Sequence, residues 1–280
     1  MDLGVIVSPA AGYTYDELLG VAKATENKGL ESFWVSDHFF GGEGFPDRDC
    51  LEAWTLLAAL ARDTKRVRLG CLVTAAQYRN PALLAKIVAS VDQMSDGRIE
   101  FGIGAGWKEN EYKAYGIPFD APGPRVGQMN ETIKICVALW TKERATFNGK
   151  HYQVEDAVCA PKPKQRPHPP VWIGGRGPSV MRAAARYADG FDISRQPSDP
   201  APMDGAAIRK VNDELDALCR ETKRERPLRR SHWTSVSITD EASARDVAAR
   251  IKDFSRAGLD RLILAFPRES ATEMINRIPV

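Results

Sequence analysis

The run WVSDHFF contains two adjacent residues whose types could move a proton, Asp37 and His38. A histidine exchanges its proton near neutral pH, and an adjacent carboxylate favours its charged form. The pair stands among four hydrophobes, at the point where an extended segment stops. A helix-capping aspartate beside a structural histidine fits the same residues. His151, His168 and His232 have less telling neighbours. A second group could hold an anion. PVWIGGRGPS carries Gly174, Gly175, Arg176 and Gly177 up to a helix start near Pro178, where backbone N–H groups readily bind a phosphate. Glycines that only turn tight corners would look the same. FGIGAGW has glycines at 102, 104 and 106, but Trp107 stands where the dinucleotide spacing G-x-G-x-x-G needs glycine, so that fingerprint fails.

Such residues act together only if the fold gathers them. Short β-branched runs (LGVIVS, SFWVS, VRLGCLV, RIEFGIG, PVWIGG, GFDIS, SVSIT, RLILAF) alternate with helically spaced segments. Gly29 is placed to end a helix, and Asn80 with Pro81 to begin one. About eight such units predict a single (β/α)8 TIM barrel over residues 1–280, with a doubly wound open sheet as the alternative. The rhythm breaks between the fourth and fifth units. FNGKHYQV reads as an extended excursion turning at Asn148–Gly149, and the stretch from Ala160 to Pro170 holds five prolines. This predicts an extended insertion at about residues 144–170, lying across the barrel mouth. Barrel chemistry collects at the C-terminal ends of the strands. Asp37 and His38 follow the second strand there, Thr74, Gln77, Tyr78 and Arg79 the third, Arg195 the sixth, and Pro267–Arg268 the eighth. Glycines, aromatics and arginines at these ends suit a planar, anionic ligand.

Composition narrows the partners. The 39 basic and 37 acidic side chains leave a net charge of +2, with no electrostatic footprint for nucleic acid. Five cysteines lie far apart without metal-ligand spacing, which predicts reduced thiols and no metal. No run approaches the roughly 20 apolar residues of a membrane span, and MDLGVIVSPAAG lacks the basic start of a leader, so a cytoplasmic location is expected.

Four stretches give the chain a family resemblance: WVSDHFF, RVRLGCLVTAAQYRNPALLAK, VDQMSDGRIEFGIGAGWKENEYKAYGIPF, and APKPKQRPHPPVWIGGRGP through RYADGF. Together they resemble the luciferase-like monooxygenase superfamily, and within it the branch that uses the deazaflavin coenzyme F420. The resemblance implies that Asp37 and His38 face the edge of the cofactor ring, with His38 nearest the chemistry. It implies that Cys71, Leu72, Val73 and Thr74 underlie the ring in a bulge, with a non-prolyl cis peptide at Leu72–Val73. Gly106, Trp107 and Asn110, with Gly174, Gly175 and Arg176, would hold the phosphate-bearing tail. Phe39, Phe40, Phe45, Tyr78 and Trp107 would wall the substrate pocket.

The sugar-phosphate dehydrogenase of this branch carries a Trp shortly after the histidine and a Glu in the glycine loop. Gly42 and Trp107 hold those places here, which points toward a flatter, more apolar substrate. The implied activity is hydride transfer between F420 and a small organic molecule, with His38 as proton donor or acceptor. The alternatives are an FMN-dependent monooxygenase using reduced flavin and oxygen, and a non-catalytic cofactor carrier. A homodimer, a separate F420 or flavin reductase, and a lid at residues 41–49 complete the expectations.

Overall fold

In the computed structural model, residues 1–41, 48–194 and 203–279 are described. Gly42, Phe45, Arg195 and most of the expected lid at 41–49 therefore lie outside the described residues. Eight strands close into a parallel barrel: β1 (Asp2–Val7), β2 (Ser32–Val35), β3 (Arg68–Ala75), β4 (Ile99–Gly104), β7 (Val171–Gly175), β8 (Gly190–Ile193), β9 (Arg229–Ser235) and β10 (Arg261–Ala265), with β10 pairing back onto β1. Between β4 and β7 the chain forms an antiparallel hairpin, β5 (Ala145–Asn148) and β6 (Gln153–Ala157). The helices are α1 (Tyr15–Asn27), α2 (Ala53–Asp63), α3 (Pro81–Met94), α4 (Glu109–Ala114), α5 (Pro122–Thr141), α6 (Pro178–Tyr187), α7 (Gly205–Glu221), α8 (Glu241–Arg256) and α9 (Ala271–Asn276). The closed ring settles the choice between barrel and open sheet.

Local chemistry starts and stops these elements as the sequence predicts. Asn80 accepts the Ala82 and Leu83 N–H groups at the head of α3, with Pro81 inside the first turn. Gly29 follows α1 at φ 77°, a conformation that costs glycine little. The seventh strand differs. It is RRSHWTS, ahead of the SVSIT predicted from apolar content. Two of its buried polar side chains find partners on β8: Ser231 donates to Asp192 (2.7 Å), and the His232 ring bonds the Ile193 carbonyl. A polar strand paired on both sides escapes a hydrophobic pattern search.

The barrel interior is filled by two indoles and the glycines that admit them. Trp34 lies beside Gly70 in register, and a Cβ on Gly70 would come within 2.5 Å of the indole. Trp172 lies beside Gly190 in the same way. The two rings meet edge-on at 6.2 Å. Toward the N-terminal ends of the strands, buried Arg261 binds Glu100 (2.6 and 3.0 Å) and Glu31 (2.7 Å), while Arg68 binds Glu100 (2.5 Å).

The hairpin and the proline run that follow α5 do not cross the mouth as expected. Glu131 on α5 accepts the Lys150, His151 and Tyr152 N–H groups, which pins the hairpin turn to the barrel's flank. The proline run then descends. Gln165 bonds Asp92 and the Ile99 carbonyl at the start of β4, and the Pro170 carbonyl accepts the Phe101 N–H. With prolines removing N–H donors, the segment is held by its carbonyls and side chains rather than as a strand over the site.

Candidate active site

The site forms where β2, β3 and β4 end. After β2 the chain turns at Asp37–Gly41 and is clamped from the next but one strand by α4. Buried Glu111 on α4 is the centre of that clamp. Its Oε2 accepts from the Tyr78 hydroxyl (2.6 Å) and faces His38 Nδ1 (3.0 Å). Its Oε1 accepts from Lys108 Nζ (2.9 Å) and the Phe39 N–H (3.0 Å). Lys108 also donates to the Phe40 and Gly41 carbonyls (2.8 and 3.1 Å). Burial alone would raise the Glu111 carboxyl, but the bonds from His38, Lys108 and Tyr78 outweigh it and hold it down at about 2. Burial and the bond to this carboxylate push the Tyr78 phenol well up, so it stays a donor.

An ionised carboxylate only accepts, so His38 presents Nδ1–H to Glu111 and leaves Nε2 as its second, reactive nitrogen. The His38 ring borders a cavity of about 300 Å³ at the mouth, together with Ser8, Ala10, Ala11, Phe40, Arg48, Trp107 and Lys108. Trp107 stands edge-on to His38 at 5.8 Å and is 71% exposed.

Several expected residues have other work. Asp37 is not beside its neighbour's ring. Both its oxygens face Arg79 (2.7 and 2.8 Å), and Oδ2 also accepts the Ala75 N–H (3.1 Å). Arg79 reaches on to Glu52 at the head of α2. Asp37 thus ties the ends of β2 and β3 together, and the carboxylate that serves His38 is Glu111. Phe39 and Tyr78 do not border this cavity: Phe39 is stacked between Tyr78 (4.3 Å) and Tyr115 (4.2 Å), and Tyr78 turns its hydroxyl to Glu111. Phe40 and Trp107 do line the cavity.

The β3 segment adopts the bulge. Its register against β4 shifts between Cys71 and Thr74, and the Leu72–Val73 peptide is cis. Thr74 is buried, accepting from the Trp54 indole (3.2 Å), and Cys71 is fully buried. Val73 leans on two glycines: a Cβ on Gly104 or Gly174 would lie 2.5 or 2.6 Å from its methyl groups. The glycines of FGIGAGW and WIGGRG therefore admit the bulge. Gly106 packs on the Tyr112 hydroxyl and gives its carbonyl to Arg125. Asn110 is exposed on α4. At the end of β7, Gly175 and Gly177 take φ 142° and 114°, and α6 begins at Gly177 with no side chain capping its N–H groups. Among the described residues, a Cβ on Gly177 would meet nothing within 4 Å.

Glu111 was not among the residues expected from sequence. WKENEYKA offers two carboxylates, Glu109 and Glu111, and only the packing of α4 shows which one is buried.

Residues 1–272 match the family model described as luciferase-like monooxygenase. An F420-dependent glucose-6-phosphate dehydrogenase of Amycolatopsis mediterranei is 31% identical over 248 residues, covering 80% of this chain and 72% of that protein. The same enzyme of Kineococcus radiotolerans is 34% identical over 176 residues, 62% of this chain and only 51% of its own length. Among solved structures, an F420-dependent secondary alcohol dehydrogenase in complex with an F420-acetone adduct superposes with a TM-score of 0.84 at 19% identity, over 99% of this chain and 98% of that one. At that identity the likeness concerns the fold.

Proposed function

The chain belongs to the luciferase-like monooxygenase family, and from that premise we propose that it is an oxidoreductase that uses coenzyme F420 to transfer a hydride to or from a small, flat, largely apolar substrate. One observation carries the reading: His38 is held through Nδ1 by a buried, ionised Glu111, and its ring borders the mouth cavity.

The residues present fit such a cofactor. The Val73 bulge and the glycines beneath it offer a floor, and the uncapped start of α6 behind Gly175, Arg176 and Gly177 suits a phosphate. When bound, F420 supplies the two-electron hydride chemistry, which no side chain here provides. The chain's own part is the proton. Nε2 of His38 gives a proton to the substrate atom that becomes electron-rich in a reduction, or takes one from a hydroxyl or N–H in an oxidation. Glu111 holds the ring's orientation throughout, while Tyr78 and Lys108 keep Glu111 ionised. Trp107 and Phe40 exclude water on the substrate side.

The relatives named above act on glucose 6-phosphate. Here an exposed indole stands next to the histidine, and a hydrophobic rim suits an unsaturated or aromatic substrate better than a sugar phosphate. Titrating the apoprotein with F420 and, separately, FMN tests the cofactor. Micromolar or tighter binding of F420 with weak FMN binding is expected, and preference for reduced FMN would make the protein an oxygenase. His38→Ala should lower turnover by about 10²–10⁴-fold while leaving F420 affinity within about twofold. Unchanged turnover would remove His38 from the mechanism. Trp107→Ala should raise KM for apolar substrates by about tenfold with little change in kcat.

A further inference from the structure

A second cavity, of about 260 Å³, opens at the opposite end of the barrel, where β7, β8 and β9 begin. Arg166, His168, Trp172, Arg226 and Arg229 line it, with Asp189 as the carboxylate on its wall. Three guanidinium groups thus face one lining carboxylate. Asp189 is partly engaged elsewhere, since its Oδ2 accepts the Val171 N–H (2.9 Å) and its Oδ1 lies 3.5 Å from Arg226. Arg166 is held by the Pro163 and Gln165 carbonyls, which carry no charge to balance its own. Arg229 reaches Asp2 (2.7 Å) while its guanidinium carbon stays 5.5 Å over the Trp172 ring.

Trp172 adds an independent sign. Its indole is 1% exposed, and its Nε1–H has no hydrogen-bond partner among the described residues. A buried donor without an acceptor is costly, and an acceptor brought in by a ligand removes the cost. A tetrahedral oxyanion supplies several acceptors and negative charge at once, matching guanidinium forks and an N–H together.

We propose that this cavity is a binding site for a phosphate group, free or as the phosphomonoester of a small organic molecule, separate from the catalytic mouth. Arg166, Arg226 and Arg229 bind its oxygens, Trp172 contributes the buried N–H, and the rings of His168, Pro167 and Pro170 form the wall for an organic body. The site lies on β7, whose far end carries Gly174 and Gly175.

Isothermal titration of the full chain with inorganic phosphate and with phenyl phosphate, in about 150 mM salt where exposed charges are screened beyond roughly 8 Å, tests the site. One saturable equivalent is expected. Tighter binding of phenyl phosphate identifies an organic monoester as the source, and equal binding identifies free phosphate. The double variant R166Q/R226Q should weaken binding by about tenfold or more, with the thermal midpoint without phosphate moved by no more than about 2 °C. Because phosphate could also settle at the start of α6, the titration is repeated with F420 bound, and undiminished phosphate binding is expected. The proposal is overturned if no saturable binding occurs, if R166Q/R226Q binds as the parent does, or if F420 displaces the phosphate.

Discussion

Glu111 shows how much one buried carboxylate can organise. It gathers a ring nitrogen and a backbone N–H from the neighbours His38 and Phe39, a phenol from Tyr78 and an ammonium from Lys108. Replacing it with Gln keeps the shape but turns one acceptor into a donor facing Tyr78, Lys108 or His38. Glu111→Gln should therefore lower turnover by about tenfold or more and move the pH–rate profile, because His38 loses its fixed tautomer. A structural role alone would leave the profile's midpoint in place. The same residue makes a stability prediction. Its carboxyl titrates at about 2 in the folded chain and near 4.5 when unfolded, so its contribution is complete above about 4.5 and fades as the pH falls toward 2. Melting curves between pH 5 and 2.5 should thus fall less steeply for Glu111→Gln than for the parent.

At the scale of an element, the bulge of β3 depends on what its neighbours lack. Gly104 at the end of β4 and Gly174 near the end of β7 leave room for the methyl groups of Val73. Gly174 lies on a strand in ordinary backbone surroundings, so the demand there is for space. Gly174→Ala should cost about 1–3 kcal/mol in stability through overpacking and weaken F420 binding, as read by thermal melting and a binding titration. Unchanged melting and binding would show that Val73 can move aside, and that the bulge is not fixed by this contact.

Across the whole molecule, the barrel interior is zoned along its axis: ion pairs at the N-terminal end, two indoles in the middle, then glycines and the bulge beneath the mouth. Asp192 sits within this interior, fully buried, with Ser231 on one oxygen and no hydrogen-bond partner for Oδ1 among the described residues. Burial pushes its carboxyl up to about 6, against the opposing pull of Ser231 and Arg261. A folded-state value above the unfolded 3.8 means that the group favours folding below about pH 4 and that this is lost as the pH rises through 6. The loss is on the order of 3 kcal/mol. Asp192→Asn should remove that slope, so the variant melts at or above the parent temperature at pH 8 and gains nothing at pH 4. A parent whose melting temperature is flat between pH 4 and 6.5 would contradict this account.

The sequence by itself determined the architecture and much of the mouth. Alternating strand and helix periods, caps such as Asn80 and Gly29, and glycines before α6 are local signals, readable because short-range sterics and hydrogen bonds set them. The family resemblance further located the bulge and its cis peptide at Leu72–Val73. Tertiary structure alone decided what partners what. Asp37 adjoins His38 in sequence, yet consecutive residues at a strand end point apart, so Asp37 faces Arg79 while His38 meets a glutamate 73 positions on. The proline run could lie over either end of the barrel until Gln165 found Asp92 and Ile99. RRSHWTS is a strand only because Asp192 and the Ile193 carbonyl are there to satisfy its polar side chains. Such long-range pairings depend on where distant elements pack, and no local periodicity encodes that.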